Sequence, residues 1–129
     1  MSTIEALNKM SLLKVEKHQR FALFIDGANL YATARLMNIE MDYQQLLNYF
    51  SQPHEPVRAY YYTAMLAENE YSPMRPLMDW LDYNGYNMVT KPVRTYQTET
   101  GEIKQKGNMD IELAVDCMEL VNHLDHFII

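Results

Sequence analysis

Arg20-Phe21-Ala22-Leu23-Phe24-Ile25-Asp26-Gly27-Ala28-Asn29-Leu30-Tyr31 decides the fold. Its apolar residues run without alternation and then stop at an acid, a glycine and an amide. A short continuous apolar run reads as a strand buried on both faces, at the centre of a parallel sheet. The strand is expected over residues 20–25. In open α/β sheets the ligand crevice lies beyond the carboxyl ends of such strands, where Asp26 sits. Gly27 can take a backbone conformation that other residues resist, and Asn29 can cap the helix that follows. An ordinary strand-to-helix turn uses the same residue types. The stretch by itself therefore fits a carboxylate at the mouth of an active site and a plain turn equally well.

The flanking chain supplies the rest of an alternating pattern. Upstream, Thr3 to Lys17 reads as an amphipathic helix, with Ile4, Leu7, Met10 or Ser11, and Lys14 or Val15 at helical spacing and Leu12 and Leu13 widening the stripe. It sets residues 1–19 apart from a domain at 20–129. Downstream, Leu30 to about Met37 is expected to be a helix capped by Asn29. Asp42 offers a second cap, for a helix with Tyr43, Leu46, Leu47 and Phe50 on its apolar face, ending by Pro53. Pro56 to Thr63 is the second strand, and its three tyrosines, Tyr60 to Tyr62, should alternate between the faces, leaving one that could stack on a base. Ala64 to Ser72 reads as a loop. Pro73 to Tyr83 reads as a helix burying Leu77, Met78, Trp80 and Leu81 and stopped by Asn84-Gly85. Tyr86 to Pro92 is a third strand, and Val93–Gln97 and Ile103–Gln105 flank a hairpin tip at Thr98 to Gly101. Met109 to Asn122 is a helix, apolar at Ile111, Leu113, Ala114, Val115, Met118 and Val121, and Phe127-Ile128-Ile129 opens a last strand. Strand and helix alternation of this kind predicts a mostly parallel sheet with helices on both faces.

Composition bounds the function. A chain of 129 residues is one domain with room for one core. Its single cysteine, Cys117, excludes an internal disulfide framework, suits a reducing compartment and falls in an apolar helical pattern, as a packed thiol would. No apolar run approaches the roughly 18 residues that span a bilayer, and no signal-peptide core is present, so a soluble, cytoplasmic protein without membrane partners is expected. A formal charge of −6 argues against nucleic-acid binding by bulk attraction. The distribution is less uniform than the sum: Lys91, Arg94, Lys104 and Lys106, against Glu99 and Glu102, form a basic arm, followed by Asp110, Glu112, Asp116, Glu119 and Asp125 with no Lys or Arg among them. That juxtaposition suits phosphate binding beside metal binding, and equally two solvated faces.

A second candidate stretch is Lys104-Gln105-Lys106-Gly107-Asn108-Met109-Asp110, with Asp116 on the helix behind it. Asp110 is either a helix cap or a metal ligand opposite Asp26. Two neighbouring carboxylates repel, and a divalent cation between them removes that cost. Mg²⁺ takes one or two carboxylates and keeps several waters, which suits phosphodiester hydrolysis. Asp116 lies six residues on, about 240° round an ideal helix, and so suits a supporting role better than direct ligation. Other chemistries lack their residues. No Gly-Lys-Ser/Thr phosphate loop occurs, a haloacid-dehalogenase phosphatase needs an acid where Ala28 stands, and His123 and His126 have no partner pair for zinc.

Phe24-Ile25-Asp26-Gly27-Ala28-Asn29-Leu30, followed about eighty residues later by Lys106-Gly107-Asn108-Met109-Asp110 and then Leu113-Ala114-Val115-Asp116, resembles the NYN domain, in particular its LabA-like bacterial branch. The resemblance runs from Phe21 to the end of the sequence. It implies a PIN-like three-layer α/β sandwich and a metal-dependent ribonuclease using Mg²⁺ or Mn²⁺. It further implies that Asp26 and Asp110 are the catalytic metal ligands with Asp116 in the same acidic set, and that Asn29 holds Asp26 or touches substrate. From charge and position, Arg94, Lys104 and Lys106 would meet the phosphates of a single-stranded RNA. Family members continue from the last strand into a Ser-Gly-Asp-x-Asp-Phe segment carrying further acids, whereas this sequence stops at Ile129, so a domain truncated at its carboxyl end is expected. The competing reading is a non-catalytic RNA-binding or protein-interaction module of the same fold. An exposed last strand edge or the N-terminal helix would favour a homo-oligomer.

Overall fold

Phe21–Asp26 forms strand β1, and Phe21, Ala22, Leu23 and Phe24 are all buried. The structure, a computed structural model, describes residues 1–9, 15–52, 54–65 and 73–129, with backbone alone at 8, 9 and 104–106. Strand β2 (Arg58–Met65) runs parallel to β1 in a register that pairs Ala22 with Arg58 and Asp26 with Tyr62. On the other side of β1 lies parallel β6 (His126–Ile128), pairing Phe21 with His126 and Leu23 with Ile128. Strand β3 (Asn87–Pro92) pairs parallel to the far side of β2, giving the order β3-β2-β1-β6. A strand with neighbours on both sides and helices on both faces meets no water, so its residues have no reason to alternate.

Alternation of side chains along the strands sorts the core into two layers. On one face Phe21, Leu23, Ala59 and Tyr61 pack with Leu81 and Tyr86 and with half-buried Tyr43, Leu47, Phe50 and Leu77. These come from α3 (Tyr43–Phe50) and α4 (Arg75–Tyr83). On the other face Ala22, Phe24 and Tyr62 pack with Met109 and Leu124 and with Leu113, Cys117 and Leu120 around α5 (Asp110–Glu119). Burying one such large side chain contributes about 1.5–3 kcal/mol, so these layers outweigh any single cap or ion pair. The tyrosines of β2 divide as expected: Tyr61 faces α3 and α4, and Tyr62 faces α5.

Several boundaries differ from the sequence reading. Helix α2 spans Gly27–Leu36, and its cap is Asp26, not Asn29. The carboxylate that ends β1 accepts the Asn29 backbone N–H, so the helix begins three residues earlier than expected. Asp42 does cap α3, accepting from the Gln45 backbone N–H at 3.0 Å. The N-terminal helix α1 is Thr3–Lys9. Residues 10–14, the middle of the expected helix, lie outside the described residues, as do Pro53 and the expected loop at 66–72. Beyond 14 the chain is not helical, because the Gln19 N–H closes a turn on the Glu16 carbonyl. Thr3 anchors α1: its hydroxyl donates to the Glu40 carbonyl and accepts the Asp42 N–H, both at 2.6 Å. Gly85 ends α4 at φ +96°, a conformation in which a side chain would be strained.

Apolar residues also stand outside the core. Trp80 is exposed, since α4 turns Met78 and Leu81 inward instead. On α5 the expected apolar face is only partly buried. Leu113 and Cys117 reach the sheet, whereas Ile111, Val115, Met118 and, just past the helix, Val121 are exposed, and so is Ala114. Both stripes fit a 3.6-residue period, and only the docking of Met109 beneath Phe24 and Tyr62 selects between them. His126 lies in β6, with Nε2 2.8 Å from Gln19 Oε1.

Candidate active site

Asp26 stands at the carboxyl end of β1, two residues beyond buried Phe24. Asp26 is half-buried and held from one side. Its Oδ1 accepts the Asn29 N–H at 3.3 Å and its Oδ2 accepts the Asn29 side-chain amide at 2.8 Å. Asn29 thus orients Asp26. Among the described residues each carboxylate oxygen accepts one bond, leaving it a further lone pair. Gly27 is required for space rather than for conformation. A Cβ there would lie 2.6–2.8 Å from Cε1, Cζ and the hydroxyl of Tyr61, and its φ is not positive.

Asp110 opens α5 and is exposed. It is not the helix cap: Met109 holds that position, and the Asn108 side-chain oxygen accepts the Asp110 N–H at 2.7 Å. The start of α5 is fixed at the carboxyl end of the sheet by two packings. Met109 is buried with Phe24 and Tyr62, and Gly107 lies so close to Ala64 of β2 that a side chain would collide with it. Asp116 faces back toward the sheet, where its Oδ2 accepts the hydroxyl of buried Tyr62 at 2.8 Å. Tyr62 is the register partner of Asp26, so one residue connects the acidic helix to the strand that carries the first acid. Burial foremost, and then the Asp116 carboxylate, push the Tyr62 phenol above its ordinary range and keep it a proton donor. The alternation of β2 was visible in the sequence, but which helix would cover that face was not.

The basic arm divides. Lys91 donates to Glu112 at 2.9 Å and, through that bond, holds the Glu112 carboxyl below its ordinary range. Lys91 is therefore paired within the fold rather than free for phosphates. Arg94 is exposed on β4 (Arg94–Gln97), which pairs antiparallel with β5 (Ile103–Lys106) as the expected hairpin, with Gly101 at its tip. Lys104 and Lys106 lie on β5, and their side chains are outside the described part. Tyr61 and Tyr62 are buried, and half-buried Tyr60 packs on Phe24 and Tyr62, so none of the three presents a free ring for base stacking. Cys117 is half-buried and its thiol is pushed up by burial, as suits a packed thiol.

The model of the NYN domain matches residues 20–129. The chain belongs to the NYN domain family. NYN domains are generally nucleases, and those nucleases typically use divalent metals. The low amplitude and bright protein LabA of Synechococcus elongatus is 31% identical over 114 residues, covering 85% of this chain and 60% of that protein. The chain thus spans 60% of the length of this curated relative. A crystal structure of a Vibrio parahaemolyticus protein of unknown function superposes with a TM-score of 0.68 at 23% identity, covering 89% of this NYN chain and 67% of the other, a likeness of fold. Among the described residues no three His, Cys, Asp or Glu side chains group as a metal site, and no helix is long and apolar enough to cross a membrane. The donors present are nonetheless all carboxylate oxygens. In the first turn of α5, Glu112 Oε2 is buried without a hydrogen-bond partner among the described residues. Such a set suits a hard cation with few protein ligands, and does not suit zinc.

Proposed function

We propose that this NYN domain is a metal-dependent ribonuclease that hydrolyses RNA phosphodiester bonds at the carboxyl end of β1. One observation supports the reading: Asp26 ends the central buried strand, oriented by Asn29, and its register partner Tyr62 on β2 holds Asp116 of α5. Asp26 and Asp110 would hold Mg²⁺ or Mn²⁺, completed by water, as an octahedral cation with one or two carboxylates requires. The chemistry that the bound ion supplies is stabilisation of charge on the scissile phosphate and of a nucleophilic water at neutral pH. The protein supplies orientation. Asn29 fixes both oxygens of Asp26, and Tyr62 fixes Asp116 while remaining protonated. Substrate is held by Arg94, Lys104 and Lys106 on the hairpin that leads into Asp110.

The test is cleavage of labelled single-stranded RNA with Mn²⁺, with Mg²⁺ and with EDTA, beside Asp26→Asn. Asparagine is as good a helix cap as aspartate, so the variant should fold. It should lose at least about a hundredfold in metal-dependent rate, since even an outer partner of a metal ligand is worth about 10–100-fold. Cleavage that persists in Asp26→Asn would remove Asp26 from the mechanism. RNA retained without turnover in either protein would replace hydrolysis by binding alone.

A further inference from the structure

The hairpin β4–β5 leaves the sheet at its carboxyl edge. It begins where the Val93 N–H donates to the Met65 carbonyl at 2.8 Å, and it ends where Gly107 packs against Ala64. All four residues of β4 are exposed, so this strand has neither face in the core. A two-stranded ribbon of this kind is marginally stable in water, and its residues are free to be chosen for what they contact.

The register shows how they are arranged. Arg94 pairs with Lys106, and Tyr96 pairs with Lys104. Directly opposed residues share a face, as do residues two apart along one strand. Positions 94, 96, 104 and 106 therefore make one face: three cations and one aromatic, with no acid. Positions 95, 97, 103 and 105, on the other face, are Thr, Gln, Ile and Gln. A chain of net charge −6 thus collects three of its eleven basic residues on a single four-position surface. Tyr96 is 48% exposed and, among the described residues, has no ring contact or side-chain hydrogen bond. Position 106 is four residues from Asp110, a reach of at most about 14 Å.

We infer that this face is a platform for single-stranded RNA, on which Tyr96 stacks against a base while Arg94 contacts a flanking phosphate. The proposal rests on the nuclease reading for the choice of RNA, and adds the residue that reads bases and the preference for an unpaired strand. Positive charge alone would accept any polyanion. An exposed ring among the cations gains only from bases whose faces are open, which a duplex does not offer.

The experiment is binding of a fluorescent single-stranded RNA to the full chain in EDTA, titrated with salt, beside the matched duplex. Wild type should prefer the single strand. Tyr96→Ala should weaken binding about tenfold with the salt dependence unchanged, and Tyr96→Phe should retain it, since stacking is worth about 5–150-fold per base. Arg94→Ala should lower the slope of log affinity against log salt by about 0.7, the value for one lost phosphate contact on a single strand. A 2-aminopurine placed in the RNA should be quenched by wild type and Tyr96→Phe, and released by Tyr96→Ala. Unchanged affinity in Tyr96→Ala, or equal binding of duplex and single strand, overturns the platform. Neither result bears on cleavage, which Asp26→Asn tests separately. Absence of turnover in the wild-type chain, with stacking intact, overturns only the nuclease.

Discussion

Gly27→Ala tests whether the Asp-Gly pair at the end of β1 exists to admit an aromatic ring. The added methyl would stand 2.6 Å from Tyr61 Cε1 and 2.7 Å from Cζ, where carbon contacts normally exceed about 3.4 Å. The ring must retreat by nearly an ångström, and its surroundings oppose that. Tyr43 packs edge-on with ring centroids 5.8 Å apart, Tyr86 does so at 6.4 Å, and the Tyr61 and Tyr43 hydroxyls are 3.4 Å apart. Overpacking of this kind costs about 1–3 kcal/mol, and alanine's better helix propensity at a first helical position does not offset it. With about 2.1 cal/mol/K of unfolding entropy per residue, 129 residues convert that cost to a fall in Tm of about 4–11 °C. Thermal unfolding followed by far-UV circular dichroism reads the shift. Adding Tyr61→Phe should not restore Tm, because the clash involves ring carbons as well as the hydroxyl. A Tm within about a degree of wild type would show that Tyr61 yields freely, and the spatial reason for Gly27 would be wrong.

Two further outcomes follow from buried phenols. Burial pushes Tyr61, Tyr62 and Tyr86 above their ordinary range, whereas the unfolded chain ionises them near 10. Their contribution to stability is therefore complete below about pH 10 and is lost as pH rises toward the folded-state values, at up to about 1.4 kcal/mol per pH unit for each phenol. Urea midpoints above pH 10, with tyrosinate absorbance, should show Tyr61, Tyr62 and Tyr86 ionising only on unfolding, and their ionisation in the folded protein would contradict this. Tyr62→Phe removes the donor to Asp116 and should lower stability by about 1 kcal/mol and Mn²⁺ affinity by about tenfold, read by urea unfolding and by metal titration. A loss of stability with unchanged Mn²⁺ affinity would make the Tyr62–Asp116 bond purely structural.

Much of the site was legible because its signals are local. An apolar run that ends in Asp26, a cap at Asp42 and a turn at Gly101 each depend on a few neighbouring residues and the backbone they favour. The errors arose where two local solutions were equally good. Asp26 and Asn29 can both cap a helix, and the choice fell to the carboxylate already placed at the end of β1. Lys91 and Arg94 look alike in sequence, and only the approach of α5 to β3 gives Lys91 a partner in Glu112. Nothing local in the sequence separates the exposed ring of Tyr96 from those of Tyr60 to Tyr62, which the layers of the core enclose.

The sequence by itself determined the central strand, the alternation of strands and helices, the acids at Asp26 and Asp110 and the hairpin between β3 and α5, because periodicity and turn chemistry act over a few residues. Only the tertiary structure decided that Tyr62 holds Asp116, that Gly27 is small for the sake of Tyr61, and that Arg94 and Tyr96 share a face with positions 104 and 106. Each of those depends on strand register or on which face a helix covers. Both are settled by packing between segments distant in sequence, where one residue of slip would reverse every side chain.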